Sequence, residues 1–78
     1  MDIPDELIRL ERTAEEERAR MAGLAGPEYE EQWQVWRAAS VAVQAAITEH
    51  AAETKADRNE LEQAVKKAVR DADEDPAE

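Results

Sequence analysis

PEYEEQWQVWRAASVAVQAAI, residues 27–47, is the stretch that decides the fold of this chain. Its stripe positions alternate three and four residues apart, and they are Tyr29, Trp33, Trp36, Ser40, Val43 and Ile47. Positions with this spacing share one face of a helix. The stretch therefore predicts a helix whose apolar face packs against another helix.

Glycine and proline mark where this helix begins. Neither residue occurs between Pro27 and Pro76, whereas Gly23, Gly26 and Pro27 fall together just before the stripe. Glycine suits the end of a helix and proline suits the first turn of the next one. We therefore predict a first helix over about residues 4–22 and a second over about residues 27–53. The short connection makes the two helices an antiparallel hairpin.

A second break is expected where the apolar stripe fails, at Thr54 and Asp57. Asp57 and Asn59 are both good N-caps, and a third helix over about residues 58–72 follows. The predicted fold is all-α, a small three-helix bundle that forms a single helical domain over residues 1–72. Such a bundle could also dimerise. The alternative architecture fuses the second and third helices into one rod that dimerises as a coiled coil.

The composition is strongly acidic. The 78 residues include 20 acids and 10 lysines and arginines, for a net charge of -10. The last eight residues carry five acids and no base, so we predict that residues 73–78 form an acidic disordered tail. Arginine outnumbers lysine and alanine is abundant, a composition typical of small proteins from GC-rich bacteria.

Several functional classes are unsupported by the residues. The absence of cysteine excludes disulfides and thiolate metal ligands, and the longest uncharged run, residues 38–48, is too short to span a bilayer. The single histidine, His50, has no second histidine to complete a metal site, and no nucleophile and base occur at a recognisable spacing. We predict a cytoplasmic protein that is not an enzyme and has no cofactor, no metal and no membrane partner.

The leading functional prediction is a small acidic helical module for protein–protein interaction, which also self-associates. Its apolar interface would use the large stripe residues, Tyr29, Trp33, Trp36, Val43 and Ile47. Glu15, Glu16 and Glu17 would form a charged rim. The expected partner is a second copy, giving a homodimer, or a protein partner with a basic surface.

An alternative function comes from the spacing of small and apolar residues over positions 47–70. Ile47 and Ala51, followed by Leu61 and Ala64 or Val65, resemble the packing positions of helix-turn-helix DNA-binding proteins. The resemblance implies that the third helix presents its polar side chains to DNA, and these are Arg58, Asn59, Gln63, Lys66, Lys67 and Arg70. The turn position that is usually glycine is Lys55 here, and Glu60 and Glu62 would oppose DNA. A third hypothesis is that the acidic surface mimics nucleic acid.

Overall fold

Three helices joined by two short turns make up the structure. The computed structural model describes residues 2–74, with side chains through residue 72. The helices are α1 (Asp5–Ala19), α2 (Gly26–Thr54) and α3 (Arg58–Glu74). Helix α1 packs more extensively against α2 than α3 packs against either of them. The predicted all-α bundle with a hairpin of the first two helices is therefore confirmed.

The turn between α1 and α2 begins three residues earlier than the sequence suggested. The amide of Met21 donates to the carbonyl of Arg18 at 3.1 Å, and this tighter i to i−3 bond ends the α-helical pattern. Gly23 then adopts a positive φ of 86°, which glycine tolerates because it has no Cβ. Pro27 lies in the first turn of α2, as predicted.

A real break separates α2 from α3, so the alternative of one fused rod is wrong. Lys55 adopts the left-handed conformation at φ 59° and ends α2. The Asp57 carboxylate accepts a hydrogen bond from the Glu60 amide at 3.0 Å, which makes Asp57 the N-cap of α3 rather than Asn59. Helix α3 continues to Glu74, so the first two residues of the predicted tail are helical. Residues 75–78 of that tail lie outside the described residues.

The hydrophobic core occupies only one half of the hairpin. Its buried members are Leu7, Ala14, Val43, Ile47, Ala51, Leu61 and Val65. Helix α1 thus contributes no fully buried core residue after Ala14, and α2 contributes none before Val43, although the half-buried Ala39 packs against the core. Residues 15–42 include no buried residue at all. We call these residues the outer half of the hairpin, because α3 covers the other half.

Candidate interaction surface

Exposed aromatic side chains on α2 are the most unusual feature of the outer half. Tyr29 is 42% exposed and Trp33 is 37% exposed, although both belong to the stripe that becomes core further along the helix. Trp33 and Trp36 meet edge to face with their ring centroids 6.3 Å apart. We call Tyr29, Trp33 and Trp36 the aromatic face.

Two charged residues of opposite sign flank Trp33. The guanidinium carbon of Arg37 lies 5.7 Å from the centroid of the Trp33 ring, a distance at which a cation interacts with the aromatic quadrupole. Glu30 lies one turn before Trp33, and together with Tyr29 it lines a shallow depression beside the indole ring. Both charged residues are exposed. The aromatic face therefore has an acid at one end and a base at the other.

A groove between α1 and α2 borders the aromatic face. Its volume is about 480 Å³, and Trp36 forms part of its wall. Small side chains line part of it, namely Ala14, Ala19, Ala22 and Ser40, and the charged Glu11, Glu15 and Arg18 line it on the α1 side. Lys66 of α3 closes the end nearest the core. The groove therefore extends as far as the core residue Val43 and the middle of α3.

A polar contact holds the two helices of the outer half together. The side-chain amide of Gln32 donates to the backbone carbonyl of Glu17 at 2.8 Å and to the Glu17 carboxylate at 2.7 Å. The same carboxylate lies 3.6 Å from the Arg20 guanidinium. These bonds join the end of α1 to the start of α2. The aromatic face therefore belongs to a hairpin whose two helices are hydrogen-bonded to each other, and not to a single isolated helix.

The structure divides the five predicted interface residues into two groups. Tyr29, Trp33 and Trp36 form the aromatic face, whereas Val43 and Ile47 are 2% and 0% exposed. Both aliphatic residues pack in the core with α1 and α3. They are not accessible to a partner while α3 is docked.

Helix α3 is attached to the hairpin through a polar network as well as through the core. Arg58 donates to the Thr48 hydroxyl at 2.8 Å and to the Glu62 carboxylate at 2.9 Å, and it also donates to the amide oxygen of Gln44. Gln44 in turn donates to Glu62 at 3.2 Å. The first turns of α3 are thereby tied to α2.

This network lowers the pKa of Glu62 in the folded protein. The hydrogen bond from Gln44 is the main cause that lowers the pKa of Glu62 below its ordinary value of about 4.5, and partial burial opposes it. The hydrogen bond from Arg58 and the charges of Arg58 and Lys66 also lower this pKa. The lowered pKa stabilises the folded protein at pH values above the ordinary pKa of the carboxyl group. This stabilisation is lost as the pH falls through the lowered pKa of Glu62.

A second part of the network reaches α1. The Lys66 ammonium lies 3.3 Å from the carboxylate of Glu11 and 3.9 Å from that of Glu62. Glu11 is only 4% exposed, which makes it the one buried charged residue in the described part of the chain. Lys66 supplies its counter-charge. Sequence reasoning missed Glu11, although its position four residues after Leu7 places it on the apolar face of α1.

The six residues predicted to contact nucleic acid are also divided. Arg58 and Lys66 point into the network just described, where carboxylates already pair with them. Asn59, Gln63, Lys67 and Arg70 are exposed on the outward side of α3. Lys67 pairs with Asp71 on the same helix at 2.8 Å. Glu60 and Asp71 share the outward side, so acids equal bases there among the side chains that the structure describes.

Comparison with known proteins gives no relative. No protein-family model matches the chain, and neither the characterised proteins nor the solved structures contain a significant match. Among the side chains of residues 2–72, no three His, Asp or Glu residues converge in a way that could hold a metal ion. In the same residues, no helix combines the length and the apolarity needed to cross a membrane.

Proposed function

We propose that this protein is a helical protein-interaction module that binds its partner through the aromatic face. The observation that carries the proposal is the exposure of Tyr29 and Trp33 on a half of the hairpin that α3 leaves uncovered. A tryptophan or tyrosine buries 150–250 Å² when it is fully covered, so leaving about two fifths of each residue's surface in water is costly for so small a protein. Tryptophan, tyrosine and arginine are also the side chains that dominate binding energy at interfaces.

For a partner other than a second copy, the charges around the aromatic face favour basic residues at the partner's edge. Residues 15–37 carry six glutamates and three arginines, and Glu15 and Glu16 are exposed on α1. Such a rim changes the rate and specificity of association more than its strength. A cytoplasmic location stays a prediction of the sequence.

Site-specific photo-crosslinking tests this function. A photoreactive phenylalanine derivative at Tyr29 should form adducts with a partner in cells that produce the protein. The matched control places the same group at Val35, which is equally accessible on α2 but lies two residues from Trp33 and so on another side of the helix. We expect adducts from position 29 in clear excess over position 35. Equal yields, or no adduct from position 29, would contradict the proposal.

A specific observation also favours the helix-turn-helix alternative, which we propose as the second candidate. The turn between α2 and α3 is three residues long, and Lys55 holds the left-handed conformation at the position where such proteins usually have glycine. Ala51 and Leu61 are buried, as the resemblance implies. The candidate ranks second because Arg58 and Lys66 already bind carboxylates of this chain.

Fluorescence anisotropy with short duplex DNA tests the second candidate. A helix-turn-helix protein should bind at about 50 mM salt and lose affinity steeply by about 200 mM. The charge reversals Lys67→Glu and Arg70→Glu change exposed residues outside the polar network, so the double variant should fold normally and lose binding. DNA affinity that is absent at both salt concentrations, or unchanged in this variant, rules the candidate out.

A further inference from the structure

We propose that a second copy of this chain covers the aromatic face, with the two α2 helices antiparallel and a two-fold axis close to Trp33. The inference rests on the proposed function, because it names the partner of the same face. Three observations carry it: the order of charges along α2, the shape of the surface beside Trp33, and the area that the outer half offers.

The order of charges along α2 is self-complementary only in an antiparallel pair. Glu30, Trp33 and Arg37 follow one another at intervals of three and four residues, so they lie along one edge of the helix. When two such edges pack about an axis at Trp33, Arg37 of each copy meets Glu30 of the other. A parallel pair would instead bring like charges together. Local charge complementarity of this kind sets register and orientation.

The surface at Trp33 combines an exposed indole with a recess. The indole is 37% exposed and forms one wall of a shallow depression that Tyr29, Glu30 and Gln34 also line. In a two-fold interface the same patch serves on both copies, so each copy must supply both shapes. An axis near Trp33 places the indole of each copy at the depression of the other.

The outer half is large enough for a specific interface. Its part of α2, from Gly26 to residue 42, is 17 residues long and so spans roughly 25 Å. Two packed helices are about 20 Å wide, which gives a face of roughly 500 Å² in projection. Specific interfaces bury about 800 Å² of accessible surface on each partner. The accessible area of an uneven face is larger than its projected area, so the outer half approaches this value.

Long-range repulsion acts against the pair, since each copy carries a net charge of -10. Salt weakens this repulsion because the Debye length is about 8 Å at 0.15 M ionic strength. The contacts between Glu30 and Arg37 are shorter than that length. The association should therefore be measured at about 0.15 M salt rather than in dilute buffer.

Sedimentation equilibrium of the purified chain and four variants tests the proposal. The wild-type chain should reach twice its 8.8 kDa mass as its concentration rises. Arg37→Glu and Glu30→Arg each place like charges at both symmetry-related contacts, and each should weaken self-association about tenfold or more. Glu31→Arg makes the same charge change as Glu30→Arg on another side of the helix, and it should associate at least as well as wild type. Trp33→Asp should be monomeric.

Mixing the two charge-reversed variants provides the decisive result. Chains with Arg37→Glu are acidic at both positions, and chains with Glu30→Arg are basic at both, so an equimolar mixture should form a heterodimer. Failure of the mixture to associate, or a wild-type chain that stays monomeric, overturns the proposal of a second copy. A monomeric chain whose position 29 still forms adducts with another protein would leave the proposed function intact. Loss of those adducts as well would remove both.

Discussion

Replacing Ile47 by alanine should lower the free energy of unfolding by about 2–5 kcal/mol, the cost of removing a large aliphatic side chain from a packed core. Ile47 is fully buried where all three helices meet, in one cluster with Leu7 and Leu61. The alanine would leave a cavity there that the small surrounding core can fill only in part. Urea unfolding followed by the helical circular dichroism signal measures the change.

Val41→Ala is the matched control, because Val41 lies on the same helix but is 60% exposed. We expect its free energy of unfolding to stay within about 0.5 kcal/mol of wild type. The sequence had assigned Ile47 to an intermolecular interface instead. A stable Ile47→Ala variant with weakened self-association would support that assignment and contradict the packing of Ile47 between α1 and α3.

Lys66→Met should destabilise the protein by about 1–3 kcal/mol, since it leaves the buried Glu11 carboxylate without its counter-charge. The full cost of breaking a buried ion pair is higher, but the Lys66 side chain is 37% exposed and water can reach this end of the pair. The methionine retains most of the apolar stem of lysine. Unfolding in urea at neutral pH gives the difference directly.

The neighbouring residue provides a control with the same chemistry. Lys67 also pairs with a carboxylate, that of Asp71, but both side chains are more than half exposed. Lys67→Met should therefore change the free energy of unfolding by less than about 1 kcal/mol. Equal effects of the two substitutions would show that Glu11 does not depend on Lys66. The double variant Glu11→Leu with Lys66→Met should recover the lost stability, because it removes the buried charge as well.

Local chemistry explains why the helices could be predicted from the sequence. Gly23 and Pro27 mark the first turn, and the cap at Asp57 marks the second; each acts within a few residues of its own position. The apolar stripe of α2 was also correctly recognised as a packing face. The stripe could not reveal which of its members would pack inside the chain. Tyr29 and Ile47 occupy equivalent positions on it, yet one is exposed and the other is buried.

The candidate surface was predicted only in part for the same reason. Trp33 and Trp36 were recognised by residue type and spacing. The roles of Glu11 and Gln44 were not, because each depends on side chains from another helix. The sequence predicts Arg58 and Lys66 to be outward bases on α3. The partners that they have on the hairpin, among them the Glu11 carboxylate beside Lys66, are brought close only by the packing of α3.

The sequence by itself determined the number of helices, the two turns between them, the antiparallel hairpin and the net acidity, since these depend on periodicity, caps, turns and composition. It did not fix every helix end, because α1 ends earlier and α3 ends later than the sequence indicates. Only the tertiary structure decided where α3 crosses the hairpin. That crossing buries Val43 and Ile47, pairs Lys66 with Glu11 and leaves residues 15–42 uncovered. Its position depends on long-range packing and on charges brought together from distant parts of the chain, and no local pattern in the sequence encodes these.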